Sequence, residues 1–227
     1  MNLLMQQYLL HFKKIDAVKF ETGPDKGFTI KDHEKNPDAS RSPVYFNFRT
    51  KDNPKPGPLG DEEIEQMADF MLNLTESIPL HFRGVAGVPN AGNPIAKSFV
   101  EQALLSQLDV KLLKLGKVTE DDKRHISGLA EATDLPRGET VLLIDDLATK
   151  AGSKEEAVSQ LRAAGYVVRD CMVFLDRQQG AMENLAGIGV QLHSVVTLDD
   201  ALSFYRESGY ITAGTYRIVQ DYLKQNS

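Results

Sequence analysis

The run VLLIDDLATKAGS (141–153) gathers residue types that can do chemistry together. Four apolar residues end in two carboxylates, Asp145 and Asp146, and a short segment of small and hydroxylated residues follows. A strand that delivers two carboxylates to a sheet edge lets them accept hydrogen bonds from sugar hydroxyls or hold a hydrated cation. The segment after them ends where a helix begins, and a helix start offers unpaired N–H groups and a positive dipole end to a phosphate. Thr149 and Ser153 add hydroxyl donors. A bland reading of the same residues is a strand end followed by a capping serine. The phosphate loop in register with the acidic pair favours the chemical reading. Two other phosphate motifs fail. Gly87 and Gly92 have P-loop spacing, but Asn93 and Pro94 stand where Lys and Ser or Thr are required. Gly187-Ile-Gly189 leads into an apolar run rather than out of one, so it is no dinucleotide fingerprint.

The elements that must position these residues follow from apolar patterning. RGVAGV (83–88), DVKLLKL (109–115), ETVLLIDD (139–146), YVVRDCMVFLD (166–176) and VQLHSVVT (190–197) read as strands. They are continuous apolar runs, which suits strands covered on both faces. Helices are expected over 93–108, over 153–165 with Ser153 as N-cap, and from Asp199. The polar, aperiodic stretch 116–138 reads as a long loop. This alternation predicts an α/β fold with a mostly parallel sheet flanked by helices. Ahead of it, residues 2–14 and 61–74 have helical spacing. Between those two helices Pro24, Pro37, Pro43, Pro54, Pro56 and Pro58 break any helix, and GFTI (27–30) and VYFNF (44–48) remain as short β-like runs. Two segments are therefore expected: 1–82, with an N-terminal helix, a small β-containing hood and a connecting helix, and a core over 83–227.

Composition narrows the classes. The 227 residues carry a net charge of −6, which disfavours sequence-independent nucleic-acid binding. The one cysteine, Cys171, allows neither an internal disulfide nor a thiolate zinc site, and its apolar surroundings suit an inert buried thiol. No apolar run reaches 18 residues, so no membrane span is expected, and the first residues do not read as a secretory signal. A cytoplasmic location is the expectation.

Four blocks, in order, resemble the type I phosphoribosyltransferases. VLLIDDLATKAGS resembles their phosphoribosyl-pyrophosphate (PRPP) signature. GVAGVPNAGNPIA (84–96) resembles their pyrophosphate loop, in the form seen in orotate phosphoribosyltransferases. FLDRQQG (174–180) resembles the orotate branch, and FTIK (28–31) with SPVYFN (42–47) resembles the hood. The resemblance covers roughly residues 27–200.

It implies a type I phosphoribosyltransferase-like fold and transfer of ribose 5-phosphate from PRPP to orotate, giving orotidine 5-phosphate and pyrophosphate. Asp145 and Asp146 would bind the ribose hydroxyls. Thr149, Lys150, Ala151, Gly152 and Ser153 would cradle the 5-phosphate, with Thr149 also facing the base. Asn90, Ala91 and Gly92 would contact pyrophosphate. Arg177 would read the orotate carboxylate, for which a planar bidentate cation is suited. Lys31, Tyr45 and Phe46 would close the pocket from the hood, and Lys117, Lys123 and His125 best match the catalytic loop. Arg177 could instead be a surface arginine paired with Asp176, and Tyr45 and Phe46 could be plain core. The resemblance also implies Mg²⁺ held mainly through PRPP, and a homodimer. Two departures stand out. Ala151 replaces a glycine, and its Cβ disfavours positive φ. Gly116-Lys117 stands where Arg-Lys is expected, and an acidic insertion, Glu120-Asp121-Asp122, precedes Lys123. A phosphoribosyltransferase for another base, or a non-catalytic PRPP- or nucleotide-binding regulator of the same fold, are the alternatives. The arginine in FLDRQQG argues against the former.

Overall fold

A computed structural model describes residues 1–23, 26–29, 40–120 and 123–226, without the side chains of 119, 120, 123 and 124. The chain forms two compact units, one from 1–59 and 197–227, the other from 60–196.

The first unit opens with α1 (Leu3–Lys14), whose Asn2 side chain caps the helix by accepting the Met5 N–H. Its buried stripe is Met5, Tyr8, Leu9 and Phe12. The strands β1 (Val18–Phe20) and β2 (Val44–Phe46) pair antiparallel, with Val18 opposite Phe46. Three residues are too few for alternation to announce β1. The expected GFTI strand is absent among the described residues: Phe28 makes one bridge, to Ser42.

The second unit begins with α2 (Asp61–Ser77), then β3 (Gly84–Gly87), α3 (Gly92–Leu105) and β4 (Lys111–Leu113). Next come β5 (Leu115–Glu120), β6 (Lys123–Leu129), β7 (Val141–Ala148) and α4 (Gly152–Ala163). β8 (Asp170–Asp176), α5 (Ala181–Gly187) and β9 (Gln191–Thr197) complete it. Five strands form the sheet in the order β4-β3-β7-β8-β9, and β3 pairs parallel with β4 and β7, as β7 does with β8. All four residues of β3, the first five of β7 and the last six of β8 are buried, as helices on both faces require.

The stretch expected as a loop is a finding of another kind. β5 and β6 form a two-stranded antiparallel sheet. Among its described side chains Leu115 and Ile126 are buried in the core, with Leu129 packed beside them, and these are too sparse for alternation to show in the sequence. Helix α4 also starts differently. Its N-cap is Ala151 with no side-chain bond, and Ser153 lies inside the first turn. The chain after β9 returns to the first unit as α6 (Leu198–Glu207), capped by Thr197, and α7 (Ala213–Gln225). There the buried Tyr205 hydroxyl donates to the Leu9 carbonyl at 2.7 Å, and Phe12 packs on Phe48. Among the described residues no helix is long and apolar enough to cross a membrane.

Candidate active site

The carboxyl end of β7 carries the two carboxylates, and they differ. Asp145 is 5% exposed, and its Oδ2 receives the Lys154 ammonium at 2.6 Å. Lys154, 3% exposed, also donates to the Leu147 carbonyl at 2.6 Å. Burial pulls the ammonium pKa down, but the attraction of Asp145 and its neighbours more than offsets this, and the net direction is up. Asp146 is half-buried. Desolvation, and then the Asp145 charge beside it, push its carboxyl up to about 7. The Asp146 N–H donates to Asp145 Oδ1 at 3.0 Å, and Asp146 Oδ1 accepts the Leu147 N–H at 2.7 Å. Cys171 lies buried on β8, and burial pushes its thiol up to about 12, so it is inert.

The segment 149–153 turns from β7 into α4. Ala151 adopts φ +66°, the left-handed conformation that its Cβ disfavours, and is 3% exposed. The loop thus takes the glycine-like turn without the glycine. The Ala151 carbonyl accepts the N–H groups of Lys154 and Glu155. Lys150 is exposed, and its carbonyl accepts the Asn184 amide of α5 at 2.8 Å. Thr149 and Ser153 are half-buried and Gly152 is exposed.

The segment after β3 closes against the same strand end. The Val88 N–H donates to the Ile144 carbonyl, and the Gly92 N–H to the Val88 carbonyl. A Cβ on Gly92 would meet the Ile144 oxygen at 2.5 Å, so only glycine lets this loop lie on β7. Asn90 and Ala91 are half-buried, and the Pro89–Asn90 peptide is cis. Lys117 reaches this loop from β5, donating to the Pro89 carbonyl at 3.1 Å.

The third strand end is that of β8. Arg177 is 3% exposed, which removes the surface-arginine reading, and its N–H donates to the Ala148 carbonyl of β7. Gln178 adopts φ +57° and donates its N–H to the Asp176 carboxylate, whose pKa burial raises. The strand order β3-β7-β8 therefore sets the ends carrying Asn90–Gly92, Asp145–Asp146 and Arg177 side by side.

Other expected residues stand elsewhere. His125 lies opposite Val118 on the hairpin, and Lys117 opposite Ile126, so Lys117 and His125 project from opposite faces of the ribbon. The His125 ring lies 3.6 Å from Glu156, whose carboxylate accepts the Ile126 N–H at 2.6 Å. The main chain of Lys123 is in β6, and its side chain lies outside the description, as does all of Lys31. In the first unit Tyr45 stacks on Phe28 at 5.5 Å, accepts Arg49 at 2.9 Å and lines a cavity of about 450 Å³ with Lys19, Asn47 and Pro56. Phe46 is buried core against Phe48. Sequence reasoning missed Lys154. Its signal is positional: Lys154, Ala157, Val158 and Leu161 form the buried stripe of α4, so a charge sits at an inward position. Among the described residues no three His, Cys, Asp or Glu side chains gather to hold a metal ion.

No family model matches the chain. A curated relative, the orotate phosphoribosyltransferase of Sulfolobus acidocaldarius, is 30% identical over 186 residues, covering 82% of this chain and 85% of the relative. The uridine 5'-monophosphate synthase of Bos taurus is 30% identical over 189 residues, and the chain spans 36% of that longer protein. Among solved structures, the UMP synthase of Leishmania donovani superposes with a TM-score of 0.72 at 25% identity, covering 97% of this chain and 42% of that one. With most of its length aligned to a curated relative of similar size, and its motifs at three neighbouring strand ends, the chain belongs to the orotate phosphoribosyltransferase family.

Proposed function

We propose that the chain transfers ribose 5-phosphate from PRPP to orotate, releasing pyrophosphate and forming orotidine 5-phosphate. The observation that carries this reading is the juxtaposition of three strand ends: loop 88–92, the acidic pair with loop 149–153, and the buried Arg177. Asp146 accepts the ribose hydroxyls. The N–H groups of the 149–153 turn and the start of α4 take the 5-phosphate. Asn90, Ala91 and Gly92 meet the pyrophosphate, and Lys117, already beside that loop, adds a positive charge where the leaving anion forms. Arg177 pairs with the orotate carboxylate.

Mg²⁺, which the family resemblance implies, would be held mainly through the pyrophosphate of PRPP and would there offset its negative charge. The residues present fit that role. Asp145 is engaged by Lys154, which leaves Asp146 as the carboxylate at hand for the ion's hydration shell. The family resemblance supports a homodimer, and the single buried cysteine with a highly charged phosphorylated substrate supports a cytoplasmic location.

The loss of orotate absorbance with PRPP and Mg²⁺ tests the activity directly. Arg177→Ala should raise the KM for orotate at least about tenfold, since a charge-assisted bidentate contact is worth about 1.5–3 kcal/mol. Its PRPP affinity by calorimetry should stay within about threefold. Equal losses for both substrates, or no turnover by the unaltered chain, overturn the assignment.

A further inference from the structure

We propose that Lys154 is a positioning residue of the PRPP site, bracketing Asp146 by holding the carboxylate before it and the carbonyl after it. This rests on the reading of the acidic pair as the ribose site. Its ammonium lies 2.6 Å from Asp145 Oδ2 and 2.6 Å from the Leu147 oxygen. Between these anchors the Asp146 N–H is fixed by Asp145 Oδ1, and Asp146 Oδ1 by the Leu147 N–H. The Asp145 carboxylate and the Leu147 carbonyl are thus tied directly to a single buried cation, and the Asp146 N–H through one further bond. The backbone of Lys154 reaches the phosphate turn as well, through its N–H to the Ala151 carbonyl at 2.7 Å. Strand end, acidic pair and phosphate turn are held as one body.

Packing alone does not call for a lysine here. The position continues the apolar stripe of Ala157, Val158 and Leu161, where Met or Leu would fill the space. Apolar residues often replace buried ion pairs without loss of stability. What an apolar side chain cannot do is hold the Asp145 carboxylate and the Leu147 carbonyl on either side of Asp146. The arrangement also divides their labour. Asp145 is a support turned toward Lys154, and Asp146 is the carboxylate that meets the ligand.

The test measures PRPP binding in the presence of Mg²⁺ by calorimetry, steady-state kinetics and Tm for Lys154→Met and Lys154→Arg. Lys154→Met should weaken PRPP binding at least tenfold and raise the KM for PRPP in parallel, with the KM for orotate within threefold. Lys154→Arg, which can still donate to both anchors, should recover most of the affinity. Because Lys154→Met strands a buried anion and can fail to fold, the change is also made in an Asp145→Asn background, where no such anion remains. There it should cost a further fivefold or more relative to Asp145→Asn alone. PRPP affinity within twofold of the matching background after Lys154→Met, or equal rises in both KM values, overturns the proposal. An unaltered chain that binds no PRPP overturns the function reading together with it.

Discussion

Asp146 holds a charge at the expense of fold stability. Burial and the Asp145 charge beside it push its carboxyl up to about 7 in the folded chain, well above the ordinary carboxylate range. A raised folded value means that its contribution to stability is full below about pH 4 and is lost as pH rises toward 7. Asp146→Asn removes the charge, so its Tm relative to the unaltered chain should climb between pH 4 and 7 and then level off. Melting curves at several pH values check this, and a flat difference contradicts it. Ala151 presents a balance of small terms. Glycine there would relieve about 1–2 kcal/mol of left-handed backbone energy. It would give back about 0.4–1 kcal/mol in unfolded-chain entropy and about 0.8 kcal/mol for a buried methyl group. Ala151→Gly should therefore melt within about 2 °C of the unaltered chain. Ala151→Val, β-branched at positive φ and overpacked, should melt at least about 4 °C lower. The placing of the acidic pair, the 149–153 turn and Arg177 at strand ends was legible because residue type and order carry it. Lys154 was not, since a lysine reads as a solvated residue and its spacing with Ala157, Val158 and Leu161 is the one mark of its inward position.

Secondary structure was legible where burial forces it. β3, β7 and β8 are covered on both faces, and their apolar runs announce them. The hairpin β5–β6 was hidden because few of its described side chains enter the core. One of its anchors is local: Glu156 of α4 accepts the Ile126 N–H at 2.6 Å. Glu156→Ala removes that bond, worth about 0.5–1.5 kcal/mol at a partly exposed site. Hydrogen exchange over 115–129 should speed up while the Tm falls by no more than about 4 °C. Unchanged exchange there would mean that the hairpin does not depend on α4 for its anchoring. The start of α4 shows the same limit on reading. Ser153 has a capping residue's type, but the turn comes two residues earlier, at Ala151.

At the scale of the molecule, the grouping of α6 and α7 with the first 59 residues is invisible to any local pattern. It depends on contacts such as Tyr205 to Leu9, 196 positions apart. Tyr205→Phe leaves the Leu9 carbonyl without this donor. It should destabilise by about 1–2 kcal/mol, a fall of roughly 3–6 °C in Tm, with PRPP binding unaffected. An unchanged Tm would show the bond to be energetically idle. The same arrangement sets an order of events during synthesis. A ribosome releases α1 and its aromatic stripe before the whole of 60–196, and only later the helix bearing Tyr205. The parallel sheet can close on itself while the nascent chain lengthens. Residues 1–59 cannot complete their unit alone: the Leu9 carbonyl and the Phe20 ring lack Tyr205 for the time needed to translate well over a hundred codons. Residues 1–59 are thus the part of the fold that meets its last partners latest.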